Sequence, residues 1–152
     1  MNTFISLRRL ALLFPSLLVL GLSSCTTEPV SPHAHTTHTI TIHYDTATKQ
    51  WDYTIVPAGD AKKARVKRHD TILWKCDAGS WTVYFKGPTP LTNPADPCEG
   101  DVGYVSGAKG ARAGAQVSRK VRVGDEFTYG VSVLLPGAID PVVDDPRIFI
   151  ER

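Results

Sequence analysis

Residues 127–133, which read Phe-Thr-Tyr-Gly-Val-Ser-Val, carry the clearest structural signal in the chain. Large apolar side chains recur at every second position, from Phe127 to Val133. Because successive side chains of a β-strand point to opposite faces of a sheet, this alternation predicts a strand with one buried face. The pair Gly124-Asp125, just before it, predicts a turn leading into the strand. The stretch therefore indicates a β-rich fold.

The same alternation recurs on both sides of this stretch. The apolar sets are Ile40, Ile42 and Tyr44; Trp51, Tyr53 and Ile55; Ile72, Trp74 and Cys76; Trp81, Val83 and Phe85; Val117, Val121 and Val123; and Ile148 and Ile150. No stretch after residue 37 has the 3.6-residue period of an amphipathic helix. About seven short strands, each with one apolar face, predict an all-β fold, a Greek-key β-sandwich over residues 38–152.

Residues 1–24 have the composition of a bacterial secretory signal peptide. Two arginines precede an apolar segment at 10–20, and small residues then lead to Cys25 in the sequence Leu-Ser-Ser-Cys. This ending resembles the lipobox of bacterial lipoproteins, in which the cysteine is lipidated and becomes the new N-terminus. The resemblance implies a lipid anchor at Cys25. Since Thr26 rather than Asp follows, it also implies the outer membrane, facing the periplasm. A cleaved signal with an incidental cysteine is the alternative.

Length, composition and charge exclude several classes of protein. The chain has 152 residues, of which 42% are hydrophobic, so it suits one ordinary globular domain and is neither collagen-like nor wholly disordered. Outside the signal no long apolar span occurs, which excludes a multi-pass membrane protein. Removal of Arg8 and Arg9 with the signal leaves 15 basic and 15 acidic residues. Nucleic-acid binding needs a clustered excess of Lys and Arg, so we expect no nucleic-acid partner.

Two cysteines remain after lipidation, Cys76 and Cys98. The cell envelope is oxidising, so these two thiols are expected to pair as a disulfide. A cysteine-based metal site is the alternative, disfavoured because no Cys-x-x-Cys motif is present. The disulfide would tie part of the long connection 87–114, rich in Gly, Pro and Ala, to a core strand. We expect that connection to present a recognition surface or to act as a spacer.

Residues 25–37 predict a flexible tether between lipid and domain, because Pro, Ser, Thr and His dominate and no apolar period is present. Four histidines, His33, His35, His38 and His43, lie within eleven residues in and beside it. Neutral imidazoles bind Cu(II), Zn(II) and Ni(II), so these four form a candidate metal site. A polar linker that happens to contain histidines is the alternative.

A basic segment precedes the third predicted strand. Its cations are Lys62, Lys63, Arg65, Lys67 and Arg68. They alternate in part with small apolar residues, which predicts a charged edge strand that discourages sheet-to-sheet aggregation. A patch for anionic lipid headgroups or lipopolysaccharide is the alternative, since a tethered domain lies close to such a surface.

Four segments together resemble the cupredoxin-like sandwiches, particularly the branch that lacks copper ligands. They are 69–74 (HDTILW), 81–88 (WTVYFKGP), 123–129 (VGDEFTY) and 144–150 (DDPRIFI). The family's copper site needs two His, a Cys thiolate and usually a Met, three of them near the last two strands. Here that region, 134–141, holds no Cys, His or Met. The resemblance implies the fold without type 1 copper, and no cofactor is expected.

No catalytic constellation accompanies these features. A nucleophile elbow and a Gly-rich phosphate loop are both absent from the sequence. We expect a membrane-anchored, non-catalytic envelope lipoprotein whose sandwich binds an envelope protein, glycan or small ligand, or has a structural role. Metal binding through the histidine-rich tether is the second hypothesis, and an envelope enzyme the third.

Overall fold

The computed structural model describes residues 34–93, 95 and 100–152. Within these ranges the chain is all β: eleven strands form two sheets and no helix is present. The strands are β1 (Thr37–Asp45), β2 (Gln50–Val56), β3 (Lys63–Val66), β4 (Thr71–Cys76), β5 (Ser80–Phe85), β6 (Leu91–Thr92), β7 (Tyr104–Gly107), β8 (Arg112–Val117), β9 (Glu126–Leu134), β10 (Val142–Asp144) and β11 (Arg147–Ile150). The sheets enclose one apolar core, so the predicted all-β sandwich class is confirmed.

The first sheet has the strand order β2-β1-β4-β8-β6. β1 pairs antiparallel with β2 and parallel with β4, which sets Ile40 between Ile55 and Trp74. β8 continues the sheet antiparallel to β4, and the two-residue β6 follows at the edge. Alternate side chains point inward, so Ile40, Ile42, Ile72 and Trp74 are fully buried.

The second sheet has the order β3-β11-β9-β5-β7, and β10 also pairs with β9. Residues 142–150 run antiparallel to β9 in one continuous register, so β10 and β11 are two pieces of one extended segment. Pro146 separates them because proline has no N–H to donate to the ladder. Its carbonyl still accepts a hydrogen bond from the Tyr129 N–H at 3.1 Å.

β3 lies at one edge of the second sheet, where β11 is its strand neighbour. Lys63 and Arg65 are exposed, whereas Ala64 and Val66 are buried against the core. The predicted charged edge strand is therefore confirmed for this part of the basic segment. Exposed cations along such an edge oppose the addition of another strand.

Aromatic residues from both sheets meet in the core. Trp74 of β4 and Tyr129 of β9 pack edge to face with ring centres 5.9 Å apart, and Phe85 lies 5.9 Å from Tyr129. The Tyr53 hydroxyl donates a hydrogen bond to Asp144 Oδ2 at 2.8 Å and so links β2 to β10 across the sandwich. Burial raises the pKa of both tyrosine hydroxyls above their usual value.

Two sequence predictions about the strands are wrong. Only Val117 of the predicted fifth strand lies in β8; Val121 and Val123 belong to the turn 118–125, where Asp125 Oδ2 accepts the Arg122 N–H at 2.8 Å. Val121 is apolar because it packs on the core from that turn. The connection 87–114 also contains β6, β7 and the start of β8, whose Gly, Ala and Ser residues give a weak strand signal.

Candidate functional site

The structure describes three of the four candidate metal-binding histidines and does not bring these three together. His33 lies outside the described residues, and His35 is exposed just before β1. His38 is buried on the inner side of β1, whereas His43 is exposed and lies 3.2 Å from the Thr54 hydroxyl. Residues 38 and 43 therefore face opposite sides of the sheet. Among the described residues no group of three or more His, Cys, Asp or Glu side chains is arranged to hold a metal ion.

His38 has a structural partner instead. Its Nε2 donates to Oδ2 of Asp70 at 2.9 Å, and both side chains are buried. Asp70 also accepts the backbone N–H of Thr36 at 3.0 Å and that of Lys67 at 2.9 Å. One carboxylate thus joins the segment before β1, β1 itself and the turn between β3 and β4. This cluster could not be predicted from the sequence, because Asp70 lies more than thirty residues from both Thr36 and His38.

The two lipoprotein-related cysteine predictions fall mainly outside the described residues. Cys25, the expected lipidation site, and Cys98 both lie there. Cys76 carries a free thiol in the structure and is fully buried on the inner side of β4. The Cys76–Cys98 disulfide stays a prediction. No helix in the described ranges is long and apolar enough to cross a membrane.

A row of hydroxyl groups crosses the outer face of the second sheet. The registers of β5 with β7 and of β5 with β9 set Thr82 opposite Ser106 on one side and opposite Ser132 on the other. Alternation along β5 directs Trp81 and Val83 into the core, which places Thr82 on the outer face. Three short side chains, each able to donate and to accept a hydrogen bond, therefore lie side by side.

Two tyrosines flank this row. Tyr84 of β5 and Tyr104 of β7 are register partners, so their side chains leave the outer face from adjacent strands. The Tyr84 ring lies over Gly130 of β9, where a Cβ atom would overlap the ring, so Gly130 leaves the space that the ring occupies. Tyr104 projects outward and is 68% exposed. The result is a row of hydroxyl groups bordered by one ring that lies flat on the sheet and one ring that projects from it.

A shallow depression of about 480 Å³ lies beside the hydroxyl row. Its lining residues are Ser80, Trp81, Thr82, Ser106, Gly107, Ala108, Ser132 and Leu134. None of them carries a charge. The buried indole N–H of Trp81 has no hydrogen-bond partner among the described residues, and its ring edge lies against Gly107 at the end of β7. Because Trp81 points into the core, this unpaired donor belongs to the interior of the sandwich and is not offered to a ligand on the outer face.

We name this surface the hydroxyl face: Ser80, Thr82, Tyr84, Tyr104, Ser106, Ser132 and Leu134, with Gly130 beneath Tyr84. It can offer hydrogen bonds from neutral hydroxyls, apolar contact from two aromatic rings and Leu134, and no formal charge. Tyr104 and Ser106 come from the connection 87–114, for which the sequence predicts a recognition surface or a spacer. The alternation Tyr-Val-Ser at 104–106 was a detectable signal for β7.

Comparison with protein-family models finds no match for this chain, and comparison with curated proteins finds none either.

Proposed function

We propose that this chain is a bacterial envelope lipoprotein whose β-sandwich binds a neutral saccharide on the hydroxyl face and catalyses no reaction. The observation that carries the proposal is the row Ser106–Thr82–Ser132 flanked by Tyr84 and Tyr104. Saccharide rings present C–H faces that pack on aromatic rings, and equatorial hydroxyls that exchange hydrogen bonds with Ser and Thr. The hydroxyl face offers both kinds of partner on one open surface.

The absence of charge in the depression favours a saccharide over acidic or basic ligands. Its lining residues are all neutral. A phosphorylated or strongly cationic ligand would find no partner for its charge there. The depression is also open rather than enclosed, which suits a chain-like ligand that extends beyond the binding site.

The anchor supports a place in the envelope. The lipobox-like sequence ending at Cys25 implies attachment to the outer membrane, facing the periplasm, where glycans are abundant. Thr36, the last residue before β1, is held by Asp70 at the edge of the domain. The tether would therefore join the sandwich at a fixed point, beside the start of β1.

The fold proposal is a cupredoxin-like sandwich without copper. Two packed sheets with a parallel β1–β4 pair and a parallel β3–β11 pair support it. The placement of His38 and His43 on opposite sides of β1 supports the absence of a copper role for this pair.

Calorimetric titration of the full lipidated chain in detergent tests the binding proposal. The probes are the tetramer of N-acetylglucosamine and maltotetraose, each up to a concentration of about 10 mM. We expect at least one to bind with a Kd of about 1 mM or below, and Tyr104→Ala to weaken that binding by about tenfold, since a hot-spot side chain contributes more than about 1 kcal/mol.

Tyr44→Ala is the matched control, because it removes a tyrosine from the first sheet, where it packs on Trp51. It should leave the affinity unchanged. Failure of both saccharides to bind, or equal binding by the Tyr104 variant and the unmodified chain, would contradict the proposal.

A further inference from the structure

The chain enters the sandwich at one end, which we call the tether end. β1 starts there, and its partner β4 starts there too because the two strands are parallel. β8 runs antiparallel to β4 and ends beside Asp70, where the Val117 N–H donates to the Asp70 carbonyl at 2.7 Å. β3 and β11 finish at the same end, since Ile150 pairs with Val66. The turns 67–70 and 118–125 therefore lie side by side around the entering chain.

Both turns are rich in cations. They contain Lys67 and Arg68 in the first turn, and Arg119, Lys120 and Arg122 in the second. Four of the five are exposed, and Arg119 is half-buried. Arg119 and Lys120 already interact with other groups of the protein, so the docking proposed below depends on Lys67, Arg68 and Arg122. Among the acids in and beside these turns, Glu126 is paired with Arg147. Asp70 is buried and hydrogen-bonded to His38, and Asp125 is half-buried in its own turn.

The opposite end, which we call the distal end, has a different charge. It consists of the turns 46–49, 77–79, 108–111 and 135–141, with the residues that border them. Its turn charges are Lys49 and Lys109 against Asp77 and Asp140, and the bordering residues Asp45 and Arg112 add one charge of each sign. The charges of the distal turns therefore balance, whereas those of the turns 67–70 and 118–125, where the chain enters, are mainly positive.

Exposed apolar side chains accompany the cations at the tether end. Val56, which ends β2 opposite Thr39, is 68% exposed, and Val123 in the turn 118–125 is 41% exposed. Cations beside exposed aliphatic side chains suit the interface of a bilayer, where phosphates accept from Lys and Arg and the upper acyl region takes apolar groups.

We propose that the tether end docks on the anionic phospholipid headgroups of the membrane that carries the lipid anchor. This inference depends on the anchor at Cys25 in the proposed function. Residues 25–36 span at most about 40 Å when fully extended, so the anchor alone would leave the orientation of the domain free. Docking through the cations fixes it. Since the depression lies beside the distal ends of β5, β7 and β9, this orientation holds it away from the bilayer.

The test uses the full lipidated chain in nanodiscs that contain a small fraction of gadolinium-chelating lipid. Methyl resonances of Val56 and Val123 report on the tether end, and those of Ile139, which is 94% exposed, report on the distal end. In phosphatidylglycerol nanodiscs we expect strong relaxation at Val56 and Val123 and little at Ile139. In phosphatidylcholine nanodiscs the three residues should be relaxed about equally.

Charge variants make the test specific. The triple variant Lys67→Gln, Arg68→Gln and Arg122→Gln should lower the ratio of docked to undocked domain on the order of 100-fold, since each cation near an anionic surface contributes about fivefold. The control variant Lys49→Gln, Lys109→Gln and Arg112→Gln removes the same charge from the distal end region and should leave the ratio unchanged. Raising the salt to 1 M should weaken docking, because the screening length falls to about 3 Å.

The possible failures are distinguishable. A chain that does not co-purify with nanodiscs lacks the anchor, which overturns the proposed localisation. An anchored chain with equal relaxation at both ends in phosphatidylglycerol, or with docking only when lipopolysaccharide is added, overturns the docking proposal alone. Equal loss of docking in both triple variants would show a response to net charge and would also overturn it.

Discussion

Replacing Asp70 is expected to be among the most damaging single changes at the tether end. The carboxylate is 4% exposed and accepts from the Thr36 N–H, the His38 imidazole and the Lys67 N–H at 2.9–3.0 Å. In Asp70→Ala all three donors lose their acceptor. The His38 donor is the most deeply buried, and a buried donor without a partner costs about 1–3 kcal/mol. Each of the two half-buried backbone donors adds about 0.5–1.5 kcal/mol, because water can reach them in part.

The expected loss of unfolding free energy is therefore about 2–6 kcal/mol, a large share of the roughly 5–15 kcal/mol typical of a domain. Asp70→Asn should cost less, about 1–2 kcal/mol, because His38 can accept from the new amide while the Lys67 N–H faces a donor. The control is Asp52→Asn, whose carboxylate is exposed and accepts only the neighbouring Tyr53 N–H at 2.8 Å among described contacts. It should change stability by less than about 0.5 kcal/mol.

The assay is urea unfolding of the full chain in detergent, followed by tryptophan fluorescence, since Trp74 is fully buried. Hydrogen exchange in Asp70→Ala should accelerate first around 36–39 and 67–72, while β5 and β9 keep their protection. Saccharide binding should survive in the folded fraction, because the hydroxyl face lies on the other sheet. A loss below about 1 kcal/mol, or one equal to that of Asp52→Asn, would refute the view that Asp70 joins these three segments.

Three further outcomes are expected. Gly130→Ala should weaken saccharide binding with little change in unfolding free energy, because the new Cβ atom would push the end of the Tyr84 ring away from the sheet and the ring can move into solvent. Unchanged binding would count against the role of that ring. Gly114→Ala should instead lower the free energy of unfolding in urea by more than about 2 kcal/mol, since its Cβ atom would overlap a backbone carbonyl of β4, which cannot move away. A smaller loss would mean that β8 shifts easily. Burial raises the pKa of Tyr53 and of Tyr129, so both hydroxyls stay protonated in the folded state, whereas the unfolded chain loses these protons above the usual tyrosine pKa of about 10. The free energy of unfolding should therefore be constant from pH 8 to about 9.5 and then fall by about 1.4 kcal/mol per pH unit for each tyrosine. A flat profile up to pH 11 would contradict their burial.

The strands with large alternating side chains could be predicted from the sequence. Phe127 to Val133, Ile72 to Cys76 and Trp81 to Phe85 all lie in strands, because burial of one face of a sheet leaves a direct period-two pattern in the residues. β8 was missed for the same physical reason, since its Ala and Gly residues give little hydrophobic signal even where the backbone pairs fully. β7 carries the alternation Tyr-Val-Ser, a signal only three residues long within a connection rich in Gly, Pro and Ala.

The candidate surface depended on register, which a single sequence does not contain. Thr82, Ser106 and Ser132 belong to three segments, and only the pairing of β5 with β7 and β9 makes them neighbours. The candidate histidine site shows the opposite case, in which residues are close in sequence but not in space. His35, His38 and His43 are close in sequence, yet strand alternation and the bond to Asp70 separate their side chains. Spacing along the chain predicts a site only where the local conformation keeps the residues on one side.

The two proposals describe one arrangement of the molecule. With the tether end on the membrane, the antiparallel strands β5 and β9 connect the two ends of the sandwich, and the depression lies beside Ser80 and Leu134 at the distal end. A saccharide strand in the periplasm would then reach the site without competing with lipid. The hydroxyl face is neutral and the tether end is basic, so charge would direct the uncharged saccharide and the anionic lipid to different surfaces.

Chemical-shift mapping of the full chain titrated with the tetramer of N-acetylglucosamine and with maltotetraose tests the central claim most directly. We predict that at least one probe shifts the amide resonances of Thr82, Tyr84, Ser106 and Ser132 and leaves those of the tether end unchanged. Absence of any shift with both probes, or shifts confined to the turns 67–70 and 118–125, would contradict the assignment of the hydroxyl face as a saccharide site.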